Sequence, residues 1–265
     1  MIVGQFFNGS GLGNMLHRYV ATRVRAADLG VPFSMIYIDD GAGKEQGFKG
    51  ASFMSIDMGI EPYPMPNHYF NEKCVRDDKG VDVRSYDPEF NFVEDNTIIE
   101  GEFQSEIYWE HREKEVNEWL KVEPLEMPND VCVLAFRGGE FAVYPDLFLT
   151  KEYWKEAIDT MLKTRLGMKF EVHTDDVELA RKFFIDVFPD WRMCLEYIHD
   201  IGINWRSLRY AKYAITSNSS FAILPRWLKQ GEDKDAVTIS PRFWGRRNTR
   251  VWSLPQNYYK RFKYI

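Results

Sequence analysis

Short apolar runs alternate with amphipathic stretches at the start of the chain. The runs Ile2–Phe7 and Phe33–Ile38 flank a glycine-rich turn and a helix-like stretch over residues 15–29. A strand, a helix and a second strand in this order are typical of a βαβ unit with parallel strands. The chain is therefore expected to begin with an α/β unit. From residue 41 to 94 the pattern weakens, and a strand at 97–99 and a helix at 105–120 follow.

The same alternation becomes more regular in the second half of the chain. The run Val131–Phe136 is continuously apolar, as in a buried parallel strand. Strands are also predicted at 169–174, 193–195, 214–217 and 237–240, and helices at 153–166, 177–188, 205–213 and 221–228. This order again indicates an α/β architecture with a parallel sheet.

A proline-containing segment separates these two patterns. Residues 123–130 include Pro124 and Pro128 and few apolar side chains, which is typical of a linker. We therefore expect an N-terminal α/β half over residues 1–125 and a C-terminal half over residues 126–265. In such sheets, ligands bind outside the carboxyl ends of the strands.

Composition and charge narrow the function classes. Of 265 residues, 45% are hydrophobic, 15% are aromatic and the net charge is −6, which argues against a general nucleic-acid binder. Three widely spaced cysteines form neither a disulfide framework nor a CxxC pair, so a reducing compartment is expected. No run approaches the roughly 20 apolar residues of a membrane span, and the first residues form a strand pattern rather than a signal peptide. A cytoplasmic location is predicted.

The segment after the predicted 214–217 strand is rich in small polar side chains. Asn218, Ser219 and Ser220 precede Phe221 and a predicted helix. Short hydroxyl side chains and the N–H groups of a helix start are suited to binding phosphate. A capped helix start without a ligand is the alternative interpretation.

A glycine-rich turn follows the first predicted strand. Gly11 and Gly13 allow positive φ and a close approach of a ligand to the backbone, and Asn14 follows them. The turn lacks the third glycine of a dinucleotide fingerprint, since Leu16 occupies the relevant position. A tight turn without a ligand is the alternative.

An arginine and two glycines follow the Val131–Phe136 strand. Arg137 at a strand end is well placed to contact a diphosphate with two parallel hydrogen bonds. Glu140 is either an ion-pair partner of Arg137 or a base that acts on an acceptor. A surface Arg–Glu pair on a turn would give the same pattern.

Paired carboxylates follow the predicted 169–174 strand. His173 is followed after one residue by Asp175 and Asp176. Either aspartate could cap the next helix, or could accept hydrogen bonds from the N1–H and the amine of a guanine. Further ligands with metal-site spacing are missing from the sequence, so no metal is predicted.

The last 24 residues are basic and aromatic. Residues 242–265 contain seven basic side chains and no acidic ones, with aromatic residues throughout. Such a tail could contact an anionic membrane surface or a lipid-linked glycan. The alternative is an arm that packs on the protein and leaves its charges in solvent.

Taken in order, these motifs resemble the fucosyltransferase superfamily, and most of all the α-1,2-fucosyltransferases of glycosyltransferase family 11. The similar segments are residues 11–14 (GLGN), 100–109 (EGEFQSEIYW), 173–176 (HTDD), 217–221 (SNSSF) and 239–244 (ISPRFW). The resemblance spans nearly the whole chain.

The resemblance implies a GT-B-like fold, with two Rossmann-like halves facing a central cleft. The N-terminal half would bind the acceptor, and the C-terminal half would bind the nucleotide-sugar donor. It also implies inverting transfer of fucose from GDP-fucose to a glycan hydroxyl, with no cofactor or required metal. Arg137 would neutralise the departing phosphate, and Asn14, with the Gly11 and Gly13 turn, would touch the diphosphate or fucose. The segments that begin at His173 and Asn218 would read the guanine, hold the phosphates and flank the nucleotide.

The chain also departs from the family pattern. Where the family has His, x, Arg, Arg, Gly, Asp, this chain has Ala, Phe, Arg, Gly, Gly, Glu at residues 135–140. The histidine and the second arginine are therefore absent. A GT-B transferase that uses another nucleotide sugar, and a nucleotide- or glycan-binding protein without catalysis, remain alternatives.

Overall fold

A computed structural model of the protein describes residues 1–7, 10–38, 51–76, 82–144, 147–242 and 259–265. The chain divides into two compact units. Unit 1 contains Met1–Val122 and Tyr259, and unit 2 contains residues 123–242 and Lys260–Ile265. Within the described residues, none of the helices has the length and apolarity that crossing a membrane requires.

Unit 1 is built on a four-stranded parallel sheet with the strand order β2-β1-β6-β3, beside a two-stranded antiparallel β4-β5 ribbon. Its strands and helices are β1 Ile2–Phe7, α1 Leu12–Leu29, β2 Phe33–Ile38, β3 His68–Asn71, β4 Cys74–Arg76, β5 Asp82–Arg84, β6 Thr97–Glu100 and α2 Glu113–Trp119. The central β1 is buried along most of its length.

Unit 2 is built on a six-stranded parallel sheet with the order β12-β11-β10-β7-β8-β9. Its elements are β7 Val131–Phe136, α3 Lys151–Thr164, β8 Lys169–Thr174, α4 Val177–Phe184, β9 Cys194–Ile198, α5 Ile201–Tyr210, β10 Tyr213–Thr216, α6 Ile223–Glu232, β11 Val237–Ser240 and β12 Lys263–Tyr264. Two parallel sheets with connecting helices confirm the predicted α/β class.

The helix predicted over residues 105–120 is wrong. The structure has 3-10 turns at Glu106–Tyr108 and Glu110–Arg112, and only Glu113–Trp119 is α-helical. Tyr108 and Trp109 are both at most 1% exposed.

Further helix boundaries, among them those of α4, α5 and α6, differ from the predicted ones by two to four residues. The helix α4 ends at Phe184, not at residue 188. The helix α5 begins at Ile201, four residues before the predicted start, because the Asp200 carboxylate caps it by accepting a hydrogen bond from the Ile203 N–H at 2.7 Å. The strand β3 lies in the region where the sequence pattern was weak.

Much of the high aromatic content is used in the cores. Trp154, Trp205 and Trp227 are fully buried in unit 2, and Trp109 is fully buried in unit 1. The ring of Phe136, at the end of β7, has four aromatic neighbours, which are Phe148, Trp154, Phe183 and Phe184. These side chains stabilise the sheets and are not exposed platforms for sugars.

Arg226 is a cation buried completely inside unit 2. Its guanidinium donates to the Thr238 hydroxyl at 2.9 Å and to backbone carbonyls of Leu208, Ala211, Lys212 and Val237. Burial lowers the pKa of Arg226 to about 9. The five acceptors stabilise the charged form, and they tie α6 to the end of α5 and to β11.

His17 is a buried titratable group in α1. Its Nδ1 lies 2.7 Å from the Gly13 carbonyl oxygen, to which it donates. Its ring packs edge-on against Trp109, with centroids 5.2 Å apart. Desolvation lowers the pKa of His17 from 6.5 to about 4, so the ring is neutral at pH 7.

We expect Arg226→Met to reduce the free energy of unfolding of unit 2 by about 3–5 kcal/mol, because the carbonyls that Arg226 now satisfies would remain buried without a donor. Chemical denaturation followed by tryptophan fluorescence measures this. Arg192→Met is the matched control, because Arg192 is 71% exposed and pairs with Asp190. It should cost less than about 1 kcal/mol. Equal losses in both variants would contradict the role given to Arg226.

We expect the stability of unit 1 to fall between pH 6.5 and pH 4 because of His17. Its pKa of about 4 in the folded state lies below the ordinary histidine value of 6.5, so the unfolded state binds the proton first as the pH falls. The lost free energy approaches about 3 kcal/mol. Chemical denaturation at several pH values measures how the free energy of unfolding depends on pH. This slope should be the same in the wild type and in the control His68→Gln, because His68 is exposed. The slope should be smaller in His17→Asn, and an unchanged slope would argue against this assignment.

Candidate functional site

The carboxyl ends of β10, β7 and β8 form one edge of the unit 2 sheet. These strands are neighbours in the sheet, with Thr216 aligned with Ala135 and Phe136 aligned with Thr174. Just beyond β10, the Ser217 N–H donates to the Ala135 carbonyl at 3.0 Å. Because adjacent strands lie about 4.8 Å apart, the segments that follow these three strands lie side by side.

Arg137 and Asp175 are joined at this edge. The guanidinium forms an ion pair with Asp175 Oδ2 and lies over the Phe141 ring, 5.3 Å from its centroid. The other carboxylate oxygen, Oδ1, accepts from the Gly138 N–H at 2.8 Å. Asp175 therefore binds both the side chain and the turn that follow β7. Arg137 remains one third exposed.

The turn after Arg137 requires a glycine. Gly139 has a φ of +32°, and a Cβ there would lie 2.5 Å from Asp175 Oδ2. A side chain at this position would push against the carboxylate that holds Arg137. The next residue, Glu140, has a side chain outside the described part of the structure, so its suggested action as a base stays a prediction.

Asp176 caps the helix α4. Its carboxylate accepts from the Leu179 N–H at 2.9 Å, which is the capping interpretation of this aspartate. Since both oxygens of Asp175 also accept hydrogen bonds from the protein, each aspartate is engaged within unit 2. The guanine-reading role that the family resemblance implied stays a prediction.

His173 lies inside unit 2 and not at the sheet edge. Its side chain is 1% exposed, and its Nδ1 lies 2.8 Å from Asn204 Oδ1 on α5. Its Nε2 lies 3.4 Å from Glu171 Oε2. Side chains alternate along a strand, so His173 faces the helix layer, and the structure does not bring it together with Arg137.

Residues 218–221 follow β10 beside the Arg137 turn. Asn218 is 2% exposed and its amide donates to the Leu147 carbonyl at 2.9 Å, so it fixes the loop before α3. Ser219 and Ser220 are half-buried, and among the described residues the Ser219 side chain makes no capping hydrogen bond. Phe221 packs edge-on against Trp205, with centroids 5.7 Å apart.

The glycine-rich turn of unit 1 does not adopt the expected positive φ. Gly11 has a φ of −68° at the N-cap of α1, and Gly13 lies within that helix. Neither glycine therefore uses the positive φ that glycine allows, because the helix begins directly after the turn. A Cβ on Gly11 would meet nothing within 4 Å. Asn14 Oδ1 accepts from the Gln104 amide at 3.0 Å.

Part of the basic tail packs on the protein. Tyr259 and Phe262 are 4% and 7% exposed, and β12 adds a parallel strand to β11. The packing interpretation is confirmed for these residues, since their apolar surface is buried. Residues 243–258 of the predicted tail lie outside the described residues.

No family model matches this sequence, and no curated protein matches it. Among solved structures, the chain is similar to E. coli heptosyltransferase WaaC with ADP-2-deoxy-2-fluoro heptose. The TM-score is 0.50 and the identity 10%, over 100% of this chain and 93% of WaaC. The described α/β units and this likeness establish a GT-B-like fold. At this identity the likeness shows the fold alone.

Two further solved structures are less similar. A family 9 glycosyl transferase from Veillonella parvula matches with a TM-score of 0.48 and 10% identity, over 100% of this chain and 86% of that protein. The fucosyltransferase NodZ from Bradyrhizobium matches with a TM-score of 0.46 and 14% identity, over 86% of this chain and 92% of NodZ.

We expect Gly139→Ala to reduce the free energy of unfolding by about 1–2 kcal/mol, through its left-handed backbone and its contact with Asp175. Gly11→Ala is the control, since it has open space and negative φ, and it should cost less than about 1 kcal/mol. Thermal unfolding of both variants checks this. A Gly139→Ala protein as stable as the wild type would show that the turn does not depend on the missing Cβ.

Proposed function

We propose that this chain is a glycosyltransferase, and specifically that it moves fucose from GDP-fucose to a hydroxyl of a glycan acceptor. Two observations support the proposal. The fold is shared with a heptosyltransferase that was solved with a nucleotide-sugar analogue. The segments that resemble α-1,2-fucosyltransferases also include both strand ends that flank the candidate site.

The observation that carries this proposal is the Arg137–Asp175 pair at the carboxyl edge of the unit 2 sheet. A guanidinium that is already oriented loses little freedom when it binds a phosphate. Asp175 holds Arg137 on one side, and the guanidinium stays part-exposed. Ligands of open α/β sheets bind at this edge. Arg137 is therefore the group that we assign to the diphosphate.

The hydroxyls of Ser219 and Ser220 are the second group of donors in the proposal. They follow β10, the neighbour of β7. When a nucleotide sugar reacts, the bond between C1 and the phosphate oxygen breaks, and negative charge grows on the diphosphate. Donors fixed before the reaction stabilise that charge, and losing one costs about 3 kcal/mol.

The acceptor oxygen attacks C1 from the face opposite the diphosphate, so the configuration at C1 inverts. The hydroxyl proton must leave as the new bond forms. Glu140, two residues beyond Gly138, is the base that we propose on the basis of its position in the motif. No metal is part of this proposal, because the guanidinium and hydroxyls supply the positive end of the interaction.

A transferase that uses another nucleotide sugar is the second candidate. The Asp175 carboxylate, one of the two acids that could read guanine, accepts hydrogen bonds from Arg137 and Gly138 with its two oxygens. The sequence also lacks the histidine and second arginine of the fucosyltransferase motif. Both observations favour a base-recognition mode different from the one that the family implies.

Calorimetric titration with GDP, ADP, UDP and CMP separates these candidates. A preference for GDP supports the GDP-fucose proposal, because a pocket that pairs with the guanine edge rejects bases that lack those donors. A preference for another nucleotide supports the second candidate. Binding of none of the four would count against both.

We expect Arg137→Met to lower the rate of sugar transfer or donor hydrolysis by a factor of about one hundred or more, since it removes one charged donor to the diphosphate. Turnover of the nucleotide sugar that titration identifies is the measurement. Arg192→Met is the matched control, because that exposed arginine lies away from the sheet edge and should leave turnover unchanged.

Asp175→Asn extends the test. The amide keeps the shape of the side chain but loses the charge that orients Arg137, so we expect an intermediate loss of turnover. Thermal unfolding of all three variants reports whether they fold. A folded Arg137→Met protein with wild-type turnover would overturn the role of Arg137.

A further inference from the structure

The strand β3 is an open edge of the unit 1 sheet. It pairs with β6 on one side, and within the described residues no strand lies on its other side. The N–H groups of His68 and Glu72 donate towards β6, at 3.2 and 2.8 Å. Because backbone groups alternate in direction along a strand, those of Asn67, Tyr69 and Asn71 point away from β6. These three residues present N–H and C=O groups to a further strand.

The other three edges of the two parallel sheets are protected. In unit 1, residues 58–60 cover β2, through hydrogen bonds of the Met35 and Ile60 N–H groups at 2.9 and 3.0 Å. In unit 2, β9 contains an extra residue, Leu195, that interrupts its register with β8, and β12 is only two residues long. Covering segments, bulges and short edge strands keep sheet edges from pairing. Among the described residues, β3 has none of these devices and pairs with β6 in regular register.

The side chains of β3 do not protect the edge either. Phe70 faces the core, where it contacts Phe90 with ring centroids 5.7 Å apart. Tyr69 points to the opposite face and is 70% exposed. Natural edge strands are often blunted by lysine or another charged side chain, and residues 67–71 contain neither a basic nor an acidic one. Nothing on the strand therefore repels a second strand.

Apolar side chains are also exposed on the segments that flank β3. The exposed fractions are 55% for Ile60, 94% for Tyr63, 51% for Met65 and 80% for Phe92. At about 200 Å² for each aromatic side chain, the three rings including Tyr69 alone expose about 500 Å². A standard interface buries about 800 Å² on each partner. Together with the backbone of the edge, this surface is sufficient for a reversible dimer.

The edge of β3 matches a second copy of itself. In an antiparallel pair, residues that direct their backbone groups at the neighbouring strand stand opposite each other. A two-fold axis at Tyr69 meets this condition, since it places Tyr69 opposite Tyr69 of the second copy and Asn67 opposite Asn71 of that copy. Aromatic pairs stabilise neighbouring strands, and like charges do not meet in this register.

We propose that β3 forms a reversible homodimer, in which the β3 strands of two copies pair antiparallel about a two-fold axis at Tyr69. The four-stranded sheets of the two copies then join into one continuous sheet. Two-fold pairing uses both open edges at once, so the assembly stops at the dimer. This proposal is independent of the proposed function.

The charge of the chain makes the dimer depend on salt. Each copy has a net charge of −6, so two copies repel each other at long range. Salt screens this repulsion, while residues 67–71 contribute no ion pair that salt could weaken. The dimer should therefore become tighter between about 20 mM and about 300 mM salt.

Sedimentation equilibrium of the full chain at several concentrations tests the proposal. We expect a dissociation constant of the wild-type dimer of about 1–100 μM, as for a weak interface. Tyr69→Lys removes the aromatic pair and sets two like charges opposite each other, so the dissociation constant should rise about tenfold or more. Trp191→Lys is the matched control, because Trp191 is 73% exposed but lies in unit 2, and it should dimerise like the wild type.

Cysteine cross-linking tests the register. The Cα atoms of residues that stand opposite each other lie about 5.5 Å apart, a distance that a disulfide spans. Tyr69→Cys should therefore form a covalent dimer on mild oxidation. Asn71→Cys should not, because residues 71 of the two copies lie about 13 Å apart along the strands. The wild type under the same oxidation accounts for the native cysteines, and thermal unfolding verifies that the variants are folded.

A wild-type protein that stays monomeric up to about 1 mM overturns the proposal and leaves the edge to a strand of another protein. A folded Tyr69→Lys protein that dimerises as tightly as the wild type overturns it as well, and so does a dimer that weakens as salt is added. Equal cross-linking of Tyr69→Cys and Asn71→Cys excludes the axis at Tyr69.

Discussion

The contact between Asp175 and the turn after β7 is the interaction on which the candidate site of unit 2 depends. One carboxylate, placed at the end of β8, holds both the Arg137 guanidinium and the Gly138 N–H. This works because β7 and β8 are parallel neighbours in register, so their carboxyl ends coincide. The site thus derives its geometry from the sheet. Gly139 keeps the space that the carboxylate needs.

Both units use a buried ionic side chain to fix irregular backbone. In unit 2, Arg226 donates to four backbone carbonyls around the end of α5 and β11. In unit 1, Glu72 accepts from two backbone N–H groups of the loop after β6. Backbone dipoles stabilise each of these buried side chains. Loops shaped in this way can present polar side chains with little freedom, which favours the binding of a ligand.

Much of the fold followed from local pattern. The strands β2, β7, β8 and β11 were placed correctly. The continuous apolar run of β7 is the pattern of a buried parallel strand. The helix predicted over 105–120 is α-helical only from Glu113 to Trp119, because 3-10 turns occupy the segment before it. Of the candidate site, Arg137, Asp175 and the serines were found from polar residues at strand ends. The buried Glu72 was missed, since a single charged residue outside any motif gives no signal of its own.

The sequence by itself determined the α/β class and the strand ends at which polar chemistry collects, since both depend on the order of residues along the chain. The tertiary structure decided which of those residues meet. It paired Arg137 with Asp175, used Asp176 as a cap and turned His173 towards Asn204. Such choices depend on strand order and on the face to which each side chain points. Contacts between residues far apart in sequence set the strand order and the direction of each side chain. The local sequence pattern therefore cannot predict them.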